Sequence, residues 1–405
     1  MTTTLPRTAI VLGAGCSRNL GVPLLAGFMD RVFDKLDPDD CRIITDFLEH
    51  IRKSAAYART DLLNIEEIYG LADMALSLES LGRAGAKVRR TVATLNKAIY
   101  EVAQPAGAEF IMDLRLQQAA TSAPIIMRES AAESDQFENL GNRHTNLLAY
   151  LCLAAHRDRG EKGGDIFPLF IQFNWDVALE RALACGKNGD LFSWYGSQEP
   201  HDYTKCPRVT RPHGGIHWRY GRKRRARRRG FNAAPNEDLK AAFCAKKLPF
   251  RDKDGIFLWA EGRLFFSANG TRSPDLLPYM AIVPPTWKKF LDDSPLAYQW
   301  AVIKHDLQEI RRLVFIGYSL PRTDVYFRHF IALALAEAKY IPKVYVWNPA
   351  ASRRGPVRES YLDLFEPLSR EGRLFYLDAY FGNPALYDLD RALERAKPLR
   401  RESWG

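Results

Sequence analysis

Four short stretches hold the side chains best suited to chemistry. The first is Gly13-Ala14-Gly15-Cys16-Ser17, which follows the apolar run Ile10-Val11-Leu12 and precedes Gly21-Val22-Pro23. An apolar run entering glycines is how a buried parallel strand hands over to a turn and a helix start. Glycines at 13 and 15 permit positive φ and keep Cβ atoms away from a bound phosphate, while N–H groups of the following helix supply donors to it. A plain strand-to-helix turn has the same glycines, so the loop alone leaves a phosphate site and a structural turn both open. The second stretch is Asn174-Trp175-Asp176, at the end of the β-rich run 166–173. Ligands of parallel sheets lie at the carboxyl ends of strands, so Asn174 and Asp176 fall where functional groups are expected. The third is His213, between Pro212 and the pair Gly214-Gly215, a context that predicts a tight exposed turn. A lone histidine is usually structural, but this one stands at a punctuated loop, and no paired cysteine or histidine spacing makes a metal its obvious reason. The fourth is Gly317-Tyr318-Ser319-Leu320-Pro321, joined further on by Asn348-Pro349, each closing an apolar strand-like run.

The elements needed to hold these residues read as an α/β fold. Residues 41–156 keep helical spacing, as in Ile43, Ile44, Phe47, Leu48 and Ile51, without strand-like alternation, and Asn64 with Glu66 and Glu67 gives one of these helices a polar start. The run 166–173 is a strand with Pro168 near its beginning, where a missing donor is tolerable. Residues 231–280 are irregular, with a hairpin of 256–259 against 264–267. The last third alternates cleanly: helix 295–311, strand 313–316, helix 323–338, strand 343–347, helix 352–369, strand 374–377 and helix 384–396. Such alternation predicts a doubly wound, Rossmann-like parallel sheet. We assign residues 1–30, 160–220 and 281–383 to that domain, and 31–159 to a large helical insertion, a lid or a subdomain. Residues 221–280 form a smaller basic insertion, and 384–405 a C-terminal helix and tail.

The chain has 405 residues, 46% of them apolar, enough for one large α/β domain with insertions or two ordinary ones. No segment approaches the ~18 apolar residues of a membrane span, and no signal-peptide pattern opens the chain, so the expectation is a cytoplasmic protein without membrane contact. Six cysteines (16, 41, 152, 185, 206 and 244) stand singly, which argues against a zinc ribbon and for buried reduced thiols. The formal net charge is +10, but seven positive charges fall in residues 222–229, and taking them away leaves +3. The basicity is therefore one patch, made of Arg222, Lys223, Arg224, Arg225, Arg227, Arg228 and Arg229. It reads as a solvated loop or as a contact for a nucleic acid or an acidic partner.

Taken in order, Gly-Ala-Gly-Cys-Ser (13–17) with Gly-Val-Pro (21–23), Gln-Phe-Asn-Trp-Asp (172–176), Pro-His-Gly (212–214), and Gly-Tyr-Ser-Leu (317–320) with Trp-Asn-Pro (347–349) resemble the sirtuin superfamily. With Ile-Val-Pro-Pro-Thr-Trp (282–287), they are more similar to the prokaryotic sirtuin-like proteins of antiviral defence. The resemblance covers roughly residues 8–25, 165–220 and 281–380. It implies a Rossmann-like domain that binds NAD as substrate and cleaves its nicotinamide glycosidic bond. By position, Gly13, Ala14, Gly15, Cys16, Ser17, Gly21 and Pro23 would belong to the loop around the pyrophosphate and adjoining ribose. Gly317 and Ser319 would lie along the phosphate and adenosine ribose, with Asn348 near the adenosine. Asn174 matches the asparagine that orders a water at the nicotinamide ribose, Asp176 supports that loop, and His213 matches the histidine that acts as general base toward a ribose hydroxyl.

Departures from the pattern narrow the implied chemistry. The cysteine-tetrad zinc site of deacylating sirtuins is absent, so no zinc is expected. Leu24-Leu25-Ala26 stands where those enzymes carry Asp-Phe-Arg, and Gln172 where threonine is common. This favours hydrolysis of NAD to nicotinamide and ADP-ribose over lysine deacylation or ADP-ribosyl transfer. A noncatalytic NAD- or nucleic-acid-binding module is a further alternative. Departure of nicotinamide leaves a neutral group, so the paired carboxylates of ordinary glycosidases are not required. An oriented water or ribose hydroxyl and a base with a pKa near working pH suffice, roles open to an asparagine and a histidine. The resemblance further implies an NAD-depleting effector of antiphage defence, a homo-oligomer, and partners such as a HerA-type ATPase or a short Argonaute.

Overall fold

The structure is a computed structural model, and it describes residues 5–54, 63–78, 85–103, 142–160, 163–185, 195, 201–220, 250–251, 257–258, 264–266, 280–282, 295–383 and 387–400. The basic run 222–229 and residues 283–287 lie outside them.

A seven-stranded, mostly parallel sheet organises the chain. Its strands are β1 (Thr8–Leu12), β2 (Leu169–Gln172), β3 (Arg208–Thr210), β4 (Arg312–Ile316), β5 (Lys343–Trp347), β6 (Leu374–Leu377) and β7 (Lys397–Pro398). Across the sheet they run β7-β6-β5-β4-β1-β2-β3, with only β7 antiparallel to its neighbour. Chain order thus reverses between β1 and β4, which pair along their whole length from Thr8 opposite Arg312 to Leu12 opposite Ile316. The order 3-2-1-4-5-6 is that of doubly wound dinucleotide-binding sheets, and the structure is compatible with a Rossmann-like fold. In such sheets the crevice for a ligand opens at this reversal, beyond the carboxyl ends of the strands.

Both faces of the sheet are covered, which is why its strands read as nearly continuous apolar runs. Side chains alternate between two core layers. Ile10, Leu12, Phe170, Val314, Ile316, Tyr345 and Trp347 enter one; Ala9, Val11, Leu169, Ile171, Leu313, Phe315, Val344 and Val346 enter the other. The first layer is closed by helices α1 (Leu25–Lys35), α2 (Pro38–Ser54), α3 (Ile65–Leu78), α4 (Gly85–Ala103), α5 (Asn142–Ala155) and α6 (Ala178–Cys185). Ile44, Phe47, Ile68, Ile99 and Tyr150 of these helices share one apolar cluster with β1. The second layer is closed by α7 (Pro295–Asp306), α8 (Val325–Ala336), α9 (Pro356–Leu364) and α10 (Glu366–Arg370). No helix among the described residues is long and apolar enough to cross a membrane.

Local chemistry explains where elements begin and end. Asn64 starts α3 by accepting the Glu66 N–H on Oδ1 at 2.9 Å. The helix expected over 352–369 divides into α9 and α10 at Phe365, because Pro367 cannot donate into the preceding turn and its ring crowds it. Of the segment 384–396, helix α11 spans Leu389–Glu394, begun by Asp388 accepting from the Arg391 N–H. The described parts of the hairpin expected between 256–259 and 264–267 pair elsewhere: Phe257–Leu258 with Phe250–Arg251, and Leu264–Phe266 with the strand Gly214–Tyr220.

Candidate functional site

At the reversal point the two glycine loops are packed main chain against main chain. Gly13 N–H donates to Ile316 O at 3.0 Å, and Gly15 N–H to Gly317 O at 2.8 Å. A Cβ on Gly13 would lie 2.5 Å from Tyr318 Cα, one on Gly15 2.8 Å from Gly317 Cα, and one on Gly317 2.5 Å from Cys16 N. These glycines are therefore needed for the interlock of the loops. Gly13 is extended, with φ −121° and ψ 179°, whereas positive φ occurs at Gly21, Gly214 and Gly317. The expected helix start is also different: two 3-10 turns, Ala14–Cys16 and Arg18–Leu20, precede α1, and the N–H groups of Cys16 and Ser17 bond Gly13 O and Ala14 O. Ala14 and Gly15 are half-buried and Ser319 is exposed, so the crevice side of both loops remains open. Leu320, buried beside it, holds a left-handed φ of 50°, the kind of backbone strain that collects at ligand sites.

Beneath the first loop lies a buried polar cluster. Asn174 leaves β2 on the face of the first core layer, and its Nδ2 donates to Gly13 O at 2.9 Å and Ser17 Oγ at 3.2 Å. Ser17 Oγ also shares a hydrogen bond of 2.9 Å with the Tyr150 hydroxyl of α5. From the same helix, Asn146 Nδ2 donates to Cys16 O at 2.8 Å. One helix face therefore fixes the glycine loop, since residues four apart are neighbours on a helix. Asp176 accepts the Ala178 N–H on Oδ1 at 2.9 Å, starting α6. Burial pushes its carboxyl above the usual range, against the pull of Ser17 and the Ala178 N–H. Burial likewise raises the Tyr150 hydroxyl and the Cys16 thiol, and Cys16 Sγ donates to Ile316 O at 3.0 Å, so this cysteine is a packed thiol and not a nucleophile. Both amide atoms of Gln172, fully buried at the end of β2, lack a hydrogen-bond partner among the described residues. An unmet buried amide of this kind costs about 1–3 kcal/mol, a standing demand for a polar partner.

The turn carrying Asn174 rests on a buried guanidinium. Arg211 donates through Nη1 to Asn174 O at 2.7 Å, and through Nη2 to Asp176 O and Glu180 Oε2, both at 2.6 Å. Its Nε donates to Glu180 Oε1 at 2.6 Å, and the Tyr195 hydroxyl donates to the same oxygen. Burial alone would lower the arginine pKa, but the Glu180 carboxylate holds it above the ordinary value.

His213 follows β3 on a turn closed by Gly214 N–H donating to Arg211 O at 2.9 Å. A turn forms as expected, but it is buried and not exposed: residues 211–216 are all buried, and His213 is 2% exposed. It stands edge-on to Phe173, with centroids 4.5 Å apart, and its Nε2 is 3.5 Å from Asp324 Oδ2. Asp324 is held in place as the N-cap of α8 and accepts the Tyr318 hydroxyl at 2.7 Å. Tyr318 in turn stacks on Phe173 at 4.9 Å.

No protein-family model and no curated protein matches the chain. The geometry must then speak for the site. The structure gathers Gly13, Ala14, Gly15, Cys16, Ser17, Asn174, Asp176 and Gly317 at one sheet edge. Asn174 and His213 come to the same edge on adjacent strands, but their side chains meet different partners. Asn174 engages the glycine loop, while His213 engages Asp324 beyond Phe173, because successive residues 173 and 174 point to opposite faces. Asn348 is half-buried at the next strand end, accepting the Ala350 N–H and donating to Tyr318 O. Gly21 is exposed with φ 90°, and Pro23 is half-buried two residues on. Sequence reasoning missed Arg211, Glu180, Tyr150 and Asp324. Arg211 alone left a trace, a charged residue directly before Pro212 and His213.

Proposed function

We propose that the crevice over β1, β2 and β4 binds NAD and hydrolyses its nicotinamide–ribose bond, giving nicotinamide and ADP-ribose. The observation that carries this reading is the pairing of Asn174 Nδ2 with Gly13 O and Ser17 Oγ, which sets the amide at the glycine loop of a dinucleotide-type strand order. The residues present fit such a substrate. Half-buried Ala14 and exposed Ser319 offer backbone and hydroxyl groups to a pyrophosphate and ribose, while Gly15, its N–H given to Gly317 O, brings the two loops together beneath them, and Asn348 stands at the next strand end for the adenosine.

In this reading Asn174 orients the attacking water at the anomeric carbon, and the neutral leaving group needs no acid. His213, on the other face of the strand end, acts as general base toward a ribose hydroxyl, with the Asp324 carboxylate 3.5 Å from Nε2 stabilising the imidazolium that forms. Asp176 shapes the Asn174 turn. The resemblance to defence-associated sirtuin-like proteins supports a role as an NAD-depleting effector that works as a homo-oligomer with an ATPase or Argonaute partner. The test is a time course of NAD, nicotinamide and ADP-ribose with the purified chain, alone and with the product of a neighbouring gene. Asn174→Ala and His213→Ala should each lower turnover by about 100-fold or more, as loss of a positioned acid–base or water-holding group does. Unchanged turnover in both removes the site.

A second reading, a noncatalytic NAD-binding module, draws on the burial of both residues: Asn174 is 8% and His213 2% exposed. NAD binding without nicotinamide release, in the presence of the partner, would favour it.

A further inference from the structure

We infer that Arg211 is the positioning residue that sets the Asn174 turn and the His213 turn relative to one another; the inference rests on the reading of those two residues as the hydrolytic pair. The side chain of Arg211 lies under one turn, bonding the carbonyls of Asn174 and Asp176 at 2.7 and 2.6 Å. Its main chain belongs to the other, its carbonyl accepting the Gly214 N–H at 2.9 Å and its own N–H donating to Gln299 Oε1 at 3.0 Å. Only Pro212 separates it from His213. Any shift of the guanidinium is therefore a shift of Asn174 with respect to the base.

The fit requires arginine. A planar fork serves two carbonyls and a carboxylate at once, whereas a lysine ammonium is a single point with rotating donors. Glu180 neutralises the charge with two contacts of 2.6 Å, and the Tyr195 hydroxyl fixes Glu180. A buried ion pair of this kind adds little net stability over apolar side chains of equal volume, so geometry is its use here.

The test compares the full-length wild type with Arg211→Lys and Glu180→Gln in three measurements: thermal unfolding, steady-state NAD hydrolysis, and amide hydrogen exchange. Arg211→Lys should lower kcat about 100-fold with KM nearly unchanged, the penalty for misplacing a reacting group by about 1 Å. Exchange should quicken by about tenfold or more at residues 174–178 while the amides of β4 keep their protection, the mark of local and not global opening. Glu180→Gln keeps the shape and one of the two acceptor oxygens, leaves the Arg211 bonds to Asn174 O and Asp176 O in place, and should lose less activity. A kcat within about twofold of wild type, or exchange that rises equally along β4, overturns the inference and leaves Arg211 a structural residue. Should Arg211→Lys fail to fold, Glu180→Gln and Tyr195→Phe loosen the same fork, and an exchange pattern confined to 174–178 decides the matter. If the wild type releases no nicotinamide, the hydrolase reading falls, while the exchange pattern still shows whether Arg211 sets the two turns.

Discussion

Alanine at position 317 tests the interlock of the two glycine loops, and its cost follows from the geometry. The new Cβ would lie 2.5 Å from Cys16 N, 2.7 Å from Gly15 C and 2.8 Å from Gly15 Cα, all main-chain atoms with no rotamer to change. Gly317 also has a φ of 60°, a left-handed conformation that costs an L-residue about 1–2 kcal/mol. Forcing apart a packed contact adds about 1–3 kcal/mol. Together these predict a loss of about 2–5 kcal/mol, a large part of the roughly 5–15 kcal/mol that holds a domain folded. Gly21→Ala is the matched control. Its φ is 90°, but no atom of the described residues lies within 4 Å of the added Cβ, so only the backbone cost of about 1–2 kcal/mol remains. Urea unfolding followed by far-UV circular dichroism reads the difference, and NAD binding by calorimetry reports whether the separated loops still form a site. A Gly317→Ala protein no less stable than Gly21→Ala would refute the reasoning, because the contact distances would then carry no energy.

Two pH effects follow from buried groups. Burial lowers the pKa of His201 from 6.5 to about 4, with its Nε2 3.1 Å from Cys206 O. The folded state therefore resists protonation that the unfolded chain accepts, so stability falls as pH drops from 6.5 towards 4, by about 3 kcal/mol at one pH unit per 1.36 kcal/mol. His201→Gln should lose that slope in urea titrations across this range, and an unaltered slope would show that the ring is hydrated. Asp176 works in the opposite sense. Its raised pKa means that the folded state binds the proton more tightly, so its contribution declines as pH rises through the folded pKa. Asp176→Asn should gain stability relative to wild type with rising pH, and a constant difference between the two would refute the shift.

The alternation of apolar runs with glycine and asparagine turns was enough, by itself, to determine the α/β class, the positions of β1, β2, β4, β5 and β6, and the placing of Gly13, Asn174 and Gly317 at strand ends, whereas β3 before His213 came from the structure. Local pattern carries this much because strand and helix burial are periodic along the chain. Strand order, and with it the reversal between β1 and β4, came only from the tertiary structure, since Thr8 and Arg312 are adjacent in space but separated by more than three hundred residues. So did the use of the glycines. Read alone, Gly13 and Gly15 suggest room for a phosphate; in the fold they make room for Gly317 and Tyr318. Tyr150, Glu180 and Asp324 left no local signal, because a polar residue on a helix reads as a solvated face until the packing shows it buried against another element. Arg211 shows the limit most directly: its type and position were visible, but its contacts with Asn174, Asp176 and Glu180 exist only because β2, α6 and the turn after β3 converge. Hydrogen-bond partners far apart in sequence are chosen by the fold, and that choice made four separate loops one candidate site.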